Sequence, residues 1–174
     1  MKSAEYATNH TQFFTATILD WKNLLKPDKY KDIVIESLGF LVKDKRVEVN
    51  AFVIMQNHIH LIWQMLNNHK RENVQRDFLK FTAQKIKTDL IKNHPQVLSK
   101  FEVNAKDRRY QFWERNPLSV DLYTEAVFIQ KLDYIHLNPV QAQLCSIPEE
   151  YWYSSARFYE LGIDDFGFLS HYRS

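Results

Sequence analysis

Two apolar runs in the middle of the chain, residues 47–55 and 58–65, are separated only by the polar pair Gln56 and Asn57. A two-residue polar connection between two such runs predicts a tight β-hairpin. In the first run the alternating apolar positions are Val47, Val49, Ala51, Val53 and Met55. Because both runs are apolar along most of their length, we expect the hairpin to lie at the centre of a sheet that other elements cover.

Further strands and helices are predicted on both sides of the hairpin. Residues 12–19 are rich in β-branched and aromatic side chains, which is typical of a strand. Their apolar face would carry Phe14, Ala16 and Ile18. Apolar positions at helical spacing predict helices over about 27–44, where Pro27 suits the first turn, and over 71–93.

The last third of the chain predicts one more strand and one more helix. Residues 108–114 are aromatic enough for a fourth strand. Thr124 is a suitable cap for a helix that we expect to end at Asn138, before Pro139. The order β-α-β-β-α-β-α predicts an α+β fold, a ferredoxin-like split βαβ sandwich with a central antiparallel sheet and an added C-terminal helix.

Length and composition predict a single globular domain. The chain has 174 residues, of which 45% are hydrophobic and 25% charged, and with only 3 Gly and 5 Pro it is unlike disordered or collagen-like chains. We expect one domain over residues 1–174, with 146–174 as a docked C-terminal tail. The single Cys145 excludes an internal disulfide. No apolar run approaches the roughly 18 residues of a membrane span, so we expect a cytoplasmic protein.

Positive charge is concentrated in the middle of the chain. Net charge is only +2, but residues 70–115 contain 12 Lys and Arg against 6 Asp and Glu. Basic side chains interleaved with aromatic ones can contact phosphates and stack bases, although lysines on a helix are often only its solvated face. The candidate DNA contacts are Lys80, Lys85, Lys87, Lys92, Arg108, Arg109, Arg115 and Lys131.

His58 and His60 are two residues apart on a predicted strand, so both imidazoles point to the same face. One cation can bridge two rings placed in this way. The competing interpretation is that one histidine is an ordinary core residue with a hydrogen-bond partner.

Tyr134 and Asn138 lie one turn apart on the predicted C-terminal helix and therefore share a face, which Lys131 extends. A phenol beside a bound cation can act as a nucleophile if this face is turned towards the two histidines. The alternative is a half-buried aromatic residue and an amide that ends a helix.

The segments Asn57-His58-Ile59-His60-Leu61-Ile62 and Tyr134-Ile135-His136-Leu137-Asn138-Pro139-Val140 resemble the single-tyrosine HUH transposases, in particular the REP-associated tyrosine transposases. The resemblance spans roughly residues 10–160. It includes Phe112-Trp113-Glu114 before the tyrosine helix and Tyr153-Ser154-Ser155 after it, in the order found in the family.

The resemblance implies a function and a role for each of four residues. His58 and His60 would bind the metal, Asn138 would complete the metal site, and Tyr134 would be the nucleophile. The implied activity is metal-dependent cleavage and strand transfer of single-stranded DNA through a 5′-phosphotyrosine, with Mg²⁺ or Mn²⁺ and no nucleotide cofactor. The implied partner is single-stranded DNA with a hairpin. A homodimer is possible, because family members place the tyrosine helix on either subunit.

Three other functions remain open. A rolling-circle replication initiator shares this chemistry but often has a lysine three residues after the tyrosine, where this chain has Leu137. A zinc hydrolase would need a third ligand, and neither His69 nor His94, His136 or His171 stands at a motif spacing. A non-catalytic single-stranded nucleic-acid-binding module is compatible with the fold, but its aromatic octapeptide is absent.

Overall fold

Four strands form one antiparallel sheet in the computed structural model, which describes residues 10–174. The strands are β1 (Thr11–Thr17), β2 (Val47–Ile54), β3 (His58–Met65) and β4 (Leu118–Asp121). Their order across the sheet is β2-β3-β1-β4, and every neighbouring pair is antiparallel. This order is that of a ferredoxin-like split βαβ sheet, so the predicted fold class is confirmed.

Helices cover both faces of the sheet. They are α1 (Asp28–Lys43), α2 (Arg71–Asn93), α3 (Pro95–Ser99), α4 (Glu125–Gln141) and α5 (Ala156–Leu161), with short 3₁₀ turns at Leu19–Trp21 and Pro148–Glu150. Apolar residues of α1 and α2 pack with Phe14 and Trp63 on one face. Phe128, Leu132 and Ile135 of α4 pack on the opposite face. The sheet therefore separates helices α1 and α2 from α4.

The central hairpin is confirmed at residue level. The Met55 amide donates to the His58 carbonyl at 2.9 Å, which closes a turn whose two central residues are Gln56 and Asn57. Both turn carbonyls accept from the connection between β1 and α1: the Ile18 amide donates to Asn57 at 2.8 Å and the Leu25 amide to Gln56 at 2.9 Å. The turn that precedes the two histidines is therefore bonded to a second segment of the chain.

The prediction of a fourth strand over residues 108–114 is wrong, because this segment makes only isolated bridges, Ile18 to Trp113 and Glu102 to Tyr110. Its aromatic side chains instead enter the core on the α2 side, where the Trp113 indole donates to Thr82 Oγ1 at 3.1 Å. The observed β4 follows a few residues later. It is short, and its apolar side chains on the α4 side of the sheet are exposed.

A β-bulge at Asn50 changes the pattern expected for β2. The register with β3 shifts between Val49 and Ala51. Val47 and Val49 consequently face α1 and α2, whereas Ala51, Val53 and Met55 face α4. The alternating apolar positions of the first run therefore divide between the two sides of the sheet, because one inserted residue reverses the direction of all that follow.

Helix α4 begins as predicted but continues beyond its predicted end. The Val127 amide donates to the Thr124 hydroxyl at 3.2 Å, so the cap is confirmed. Pro139 does not end the helix, which runs to Gln141. A proline ring removes one backbone donor, yet the helix continues past it, and the Ala142 amide still donates to the Asn138 carbonyl at 3.0 Å. Asn138 is consequently an internal residue of the helix.

Residues after α4 pack against the free side of β2. The Ile54 amide donates to the Tyr153 carbonyl, and the Tyr151 hydroxyl donates to the Ile54 carbonyl at 2.6 Å. Further along, the Ser170 amide donates to the Val49 carbonyl at 2.9 Å, and the Asn50 side-chain amide donates to the Ser170 carbonyl at 2.9 Å. These contacts cover an edge that would otherwise be open. Over residues 10–174, no helix has the length and apolar character needed to cross a membrane.

Candidate active site

His58 and His60 lie side by side on β3 and face the side of the sheet that α4 covers. Their ring centroids are 4.8 Å apart. The strand register places His58 opposite Thr17 and His60 opposite Thr15. His60 is only 4% exposed, whereas His58 is half-buried at the rim. The shared face predicted from the strand period is therefore present in the structure.

Neighbouring polar side chains fix the orientation of both rings. Thr15 Oγ1 lies 2.7 Å from His60 Nδ1, and Asn57 Oδ1 lies 2.7 Å from His58 Nδ1. The Asn138 side chain also hydrogen-bonds to His58. Hydrogen bonds to one ring nitrogen set the tautomer and orientation of an imidazole, which is the usual arrangement around a ligating histidine.

Both imidazoles are held in the neutral form. Burial, together with the proximity of His58 and Lys131, lowers the pKa of His60 from its ordinary value of 6.5 to about 3. Burial also lowers the pKa of His58, an effect that the hydrogen bond to the Asn138 side chain opposes. A neutral imidazole is the form that binds metal ions. The two rings are therefore available as ligands at neutral pH.

Helix α4 brings the tyrosine to the histidines. The Tyr134 ring lies 5.2 Å from the His60 ring and 6.0 Å from that of Phe13. Tyr134 is 46% exposed, so a substrate can approach it from solvent. The Lys131 ammonium lies 5.8 Å from the centroid of the Tyr134 ring. An aromatic nucleophile candidate, a cation and two neutral imidazoles thus meet on one face.

The donor atoms fit a divalent cation. His60 Nε2 is buried and has no hydrogen-bond partner in the described part of the chain, although a buried polar atom is normally satisfied. His58 and the Asn138 amide lie beside it. Two imidazoles and an amide oxygen suit Mn²⁺, and also Mg²⁺ when oxygen ligands from substrate or water complete the shell.

A zinc hydrolase site does not assemble. Across residues 10–174, no group of three or more His, Cys, Asp and Glu side chains is placed to hold a metal ion. His136, one of the residues considered for it, is instead a buried core residue whose Nε2 lies 2.8 Å from the Ser155 hydroxyl. Burial lowers its pKa to about 4.

The candidate DNA contacts do not form a single cluster. Lys80, Lys87, Arg108 and Arg115 line one groove of about 810 Å³ between α2 and the segment that follows α3. Lys85 and Lys92 line a separate depression on α2. The Arg109 side chain donates to Glu102 at 3.0 Å, and Lys131 lies in the site itself.

Sequence reasoning did not identify three residues that shape this site. Phe13 stacks on His60 with ring centroids 5.3 Å apart, Thr15 binds the same ring, and Trp21 contacts His58 edge-on at 5.8 Å. The strand pairing that opposes Thr15 to His60 has no local signal in the sequence. The only sequence indication of a role for Trp21 is that this aromatic residue closely follows the first predicted strand.

Comparison with known proteins establishes the fold. No protein-family model matches the sequence, and no curated protein matches it. A solved structure of a REP-associated tyrosine transposase bound to a REP hairpin superposes with a TM-score of 0.67 and 18% identity, covering 95% of this chain and 88% of that one. A protein from Deinococcus radiodurans assigned as a transposase gives a TM-score of 0.49 and 14% identity over 78% and 95%. The second TM-score is too low to establish a common fold, so the fold comparison depends on the first.

Proposed function

We propose that this protein is a metal-dependent transposase that cuts single-stranded DNA and joins the cut strand to a new end through Tyr134. The observation that carries the proposal is the buried, unpartnered Nε2 of His60, whose ring lies 5.2 Å from that of Tyr134. The fold shared with a REP-associated tyrosine transposase supports it.

In the proposed reaction the Tyr134 oxygen, after losing its proton to solvent, attacks the phosphorus atom of the scissile phosphate. The bond between phosphorus and the 3′ oxygen breaks, and that oxygen takes up a proton to leave as a 3′-hydroxyl. The 5′ phosphate remains on Tyr134 as a phosphotyrosine. Attack by the 3′-hydroxyl of another strand reverses the step on a new partner, so no nucleotide cofactor is needed.

The residues around the tyrosine support this reaction. The Lys131 ammonium would stabilise negative charge on the phenolate and on the phosphate. His58, His60 and Asn138 would hold Mg²⁺ or Mn²⁺, which when bound supplies Lewis-acid polarisation of the phosphate oxygens. Thr15 and Asn57 keep the two imidazoles oriented for this role.

We further propose a DNA substrate in which a hairpin adjoins a single strand. The related structure is bound to a REP hairpin. Five basic side chains line one groove of this protein: Arg76, Lys80, Lys87, Arg108 and Arg115. Contacts from such side chains to phosphates release counterions and strengthen binding.

The test is a denaturing gel that detects a covalent protein–DNA adduct. Labelled single-stranded oligonucleotides carrying hairpins from the flanks of the gene are incubated with Mn²⁺, Mg²⁺ or EDTA. We expect an adduct with the wild type that Tyr134→Phe, His58→Ala and EDTA each abolish. Tyr123→Phe is the matched control, because Tyr123 is an exposed tyrosine that bonds to Asp121 rather than lying beside the histidines.

Two results would contradict the proposal. An adduct that survives Tyr134→Phe would assign the nucleophile to another residue. Tight hairpin binding without an adduct under any of these metal conditions would favour a binding module without catalysis.

A further inference from the structure

Trp21 stands at the rim of the candidate site with most of its indole in solvent. It is 61% exposed, and its ring lies 5.8 Å from the His58 ring. It belongs to neither of the apolar clusters formed by residues 10–174. Burial in the core therefore does not account for a tryptophan at this position.

The backbone that presents Trp21 is strained. Asp20 and Trp21 both have a φ of 55°, in the left-handed region that residues other than glycine rarely adopt. Two consecutive residues of this kind persist only when their surroundings hold them in place, and such strain is concentrated at ligand-binding sites. The strain is therefore a second observation that points to a role for this turn.

Hydrogen bonds from three parts of the chain hold the turn. The Trp21 amide donates to the Ile18 carbonyl at 2.9 Å, and the Asp20 amide donates to Glu114 Oε1 at 2.7 Å. The Asn57 side chain donates to the Trp21 carbonyl at 3.4 Å, and the same side chain contacts His58. The turn is thus connected through Asn57 to the candidate metal ligand His58.

We propose that the Trp21 indole stacks on an unpaired base of the single strand next to the scissile phosphate. This inference rests on the proposed function and deepens it, because it identifies a residue that selects single-stranded over duplex DNA. Base faces are covered in a duplex and available in a single strand, and stacking on an aromatic side chain tolerates any base. The short distances from Trp21 to His58, and from His60 to Tyr134, place this base beside the phosphate that Tyr134 attacks.

The experiment measures binding without chemistry. Fluorescence anisotropy of a labelled oligo-dT strand is recorded in EDTA with the full chain carrying Tyr134→Phe, so no adduct can form. The same strand built from abasic sites is the second probe. We expect Trp21→Ala to weaken binding of oligo-dT by roughly 5- to 150-fold, the range for one base–aromatic stack, and to leave binding of the abasic strand unchanged.

Two further variants separate stacking from structural effects. Trp21→Phe retains an aromatic face and should recover most of the affinity for oligo-dT. Trp152→Ala removes another exposed tryptophan, which packs on Phe166 away from the histidines, and should bind like the parent. Thermal unfolding of each variant checks that the fold is intact, which we expect because the indole is mostly exposed.

The inference is overturned if Trp21→Ala binds oligo-dT as tightly as the parent, or if it loses equal affinity for both strands. A wild type that forms the adduct while Trp21→Ala binds normally would leave the proposed function standing and reject the stacking role. Failure of the parent to bind either strand would reject the stacking role, whereas the proposed function is decided separately by the adduct assay with metal and hairpin DNA.

Discussion

Acidification should destabilise this protein well above the pH at which carboxylates titrate, because two histidines are buried in the neutral form. The ordinary histidine pKa of 6.5 is lowered to about 3 for His60 and about 4 for His136. Between about pH 6.5 and these lowered pKa values, the two histidines are protonated in the unfolded chain but not in the folded chain. The stability contributed by these groups is therefore fully present above pH 6.5 and is lost as the pH falls.

The size of the effect follows from the two shifts. Each such proton changes the free energy of unfolding by about 1.4 kcal/mol per pH unit below 6.5. At about pH 5 each histidine therefore lowers the free energy of unfolding by about 2 kcal/mol, and the two together lower it by about 4 kcal/mol. His58, whose pKa is also lowered, acts in the same direction. A loss of this size is a large fraction of the roughly 5–15 kcal/mol that stabilises a typical domain.

Urea unfolding followed by tryptophan fluorescence at about pH 7.5 and pH 5 measures this difference. A buried glutamine cannot titrate, so in His136→Gln we expect the loss of unfolding free energy between these two pH values to be smaller by about 2 kcal/mol. His69→Gln is the matched control, because His69 follows β3 in a surface turn, and it should retain the full loss.

A free energy of unfolding that is equal at the two pH values would refute this reasoning. So would a His136→Gln variant that keeps the whole pH dependence, because the protons would then be taken up elsewhere.

Three other outcomes are expected. Mn²⁺ at about 100 times its dissociation constant should stabilise the wild type by about 2.7 kcal/mol in thermal unfolding. It should leave the stability of His58→Ala unchanged, and equal stabilisation of both proteins would exclude this site. Thr15→Val removes the hydrogen-bond partner of His60 Nδ1 and should weaken Mn²⁺ binding, measured by calorimetry, by about 10- to 100-fold. Thr11→Val is the control on the same face of β1 and should not weaken Mn²⁺ binding. Ile135→Ala leaves a cavity beneath α4 and should lower the free energy of unfolding, measured in urea, by about 2–5 kcal/mol. Leu137 is exposed on the same helix, so a similar loss in Leu137→Ala would contradict this packing.

Local periodicity was sufficient to predict part of the site. The strand period places His58 and His60 on one face, and helical spacing places Tyr134 one turn from Asn138. Both relations depend only on residues close in sequence, and the structure contains both. That α4 lies over β3 depends on tertiary packing, and before the structure it was supported only by the resemblance to a family.

Other features could not be predicted because they depend on distant partners. The pairing of Thr15 with His60 is set by strand register, and the bulge at Asn50 has no distinct sequence signal. The aromatic segment 108–114, which includes Trp113, has the composition of a strand. In the structure its aromatic side chains instead fill the core beneath α2. Aromatic content indicates burial, and burial alone does not distinguish a strand from an irregular segment.

The hydrogen bonds at the Gln56-Asn57 turn have a consequence for ligand affinity. Both turn carbonyls are bonded to the β1–α1 connection, and Asn57 also binds the His58 ring, so the histidine-bearing end of the hairpin cannot fray on its own. The backbone amides at this end of the hairpin should exchange with solvent deuterium only when a larger part of the sheet opens. Ligand binding then loses little conformational entropy in ordering the imidazoles, because folding has already ordered them.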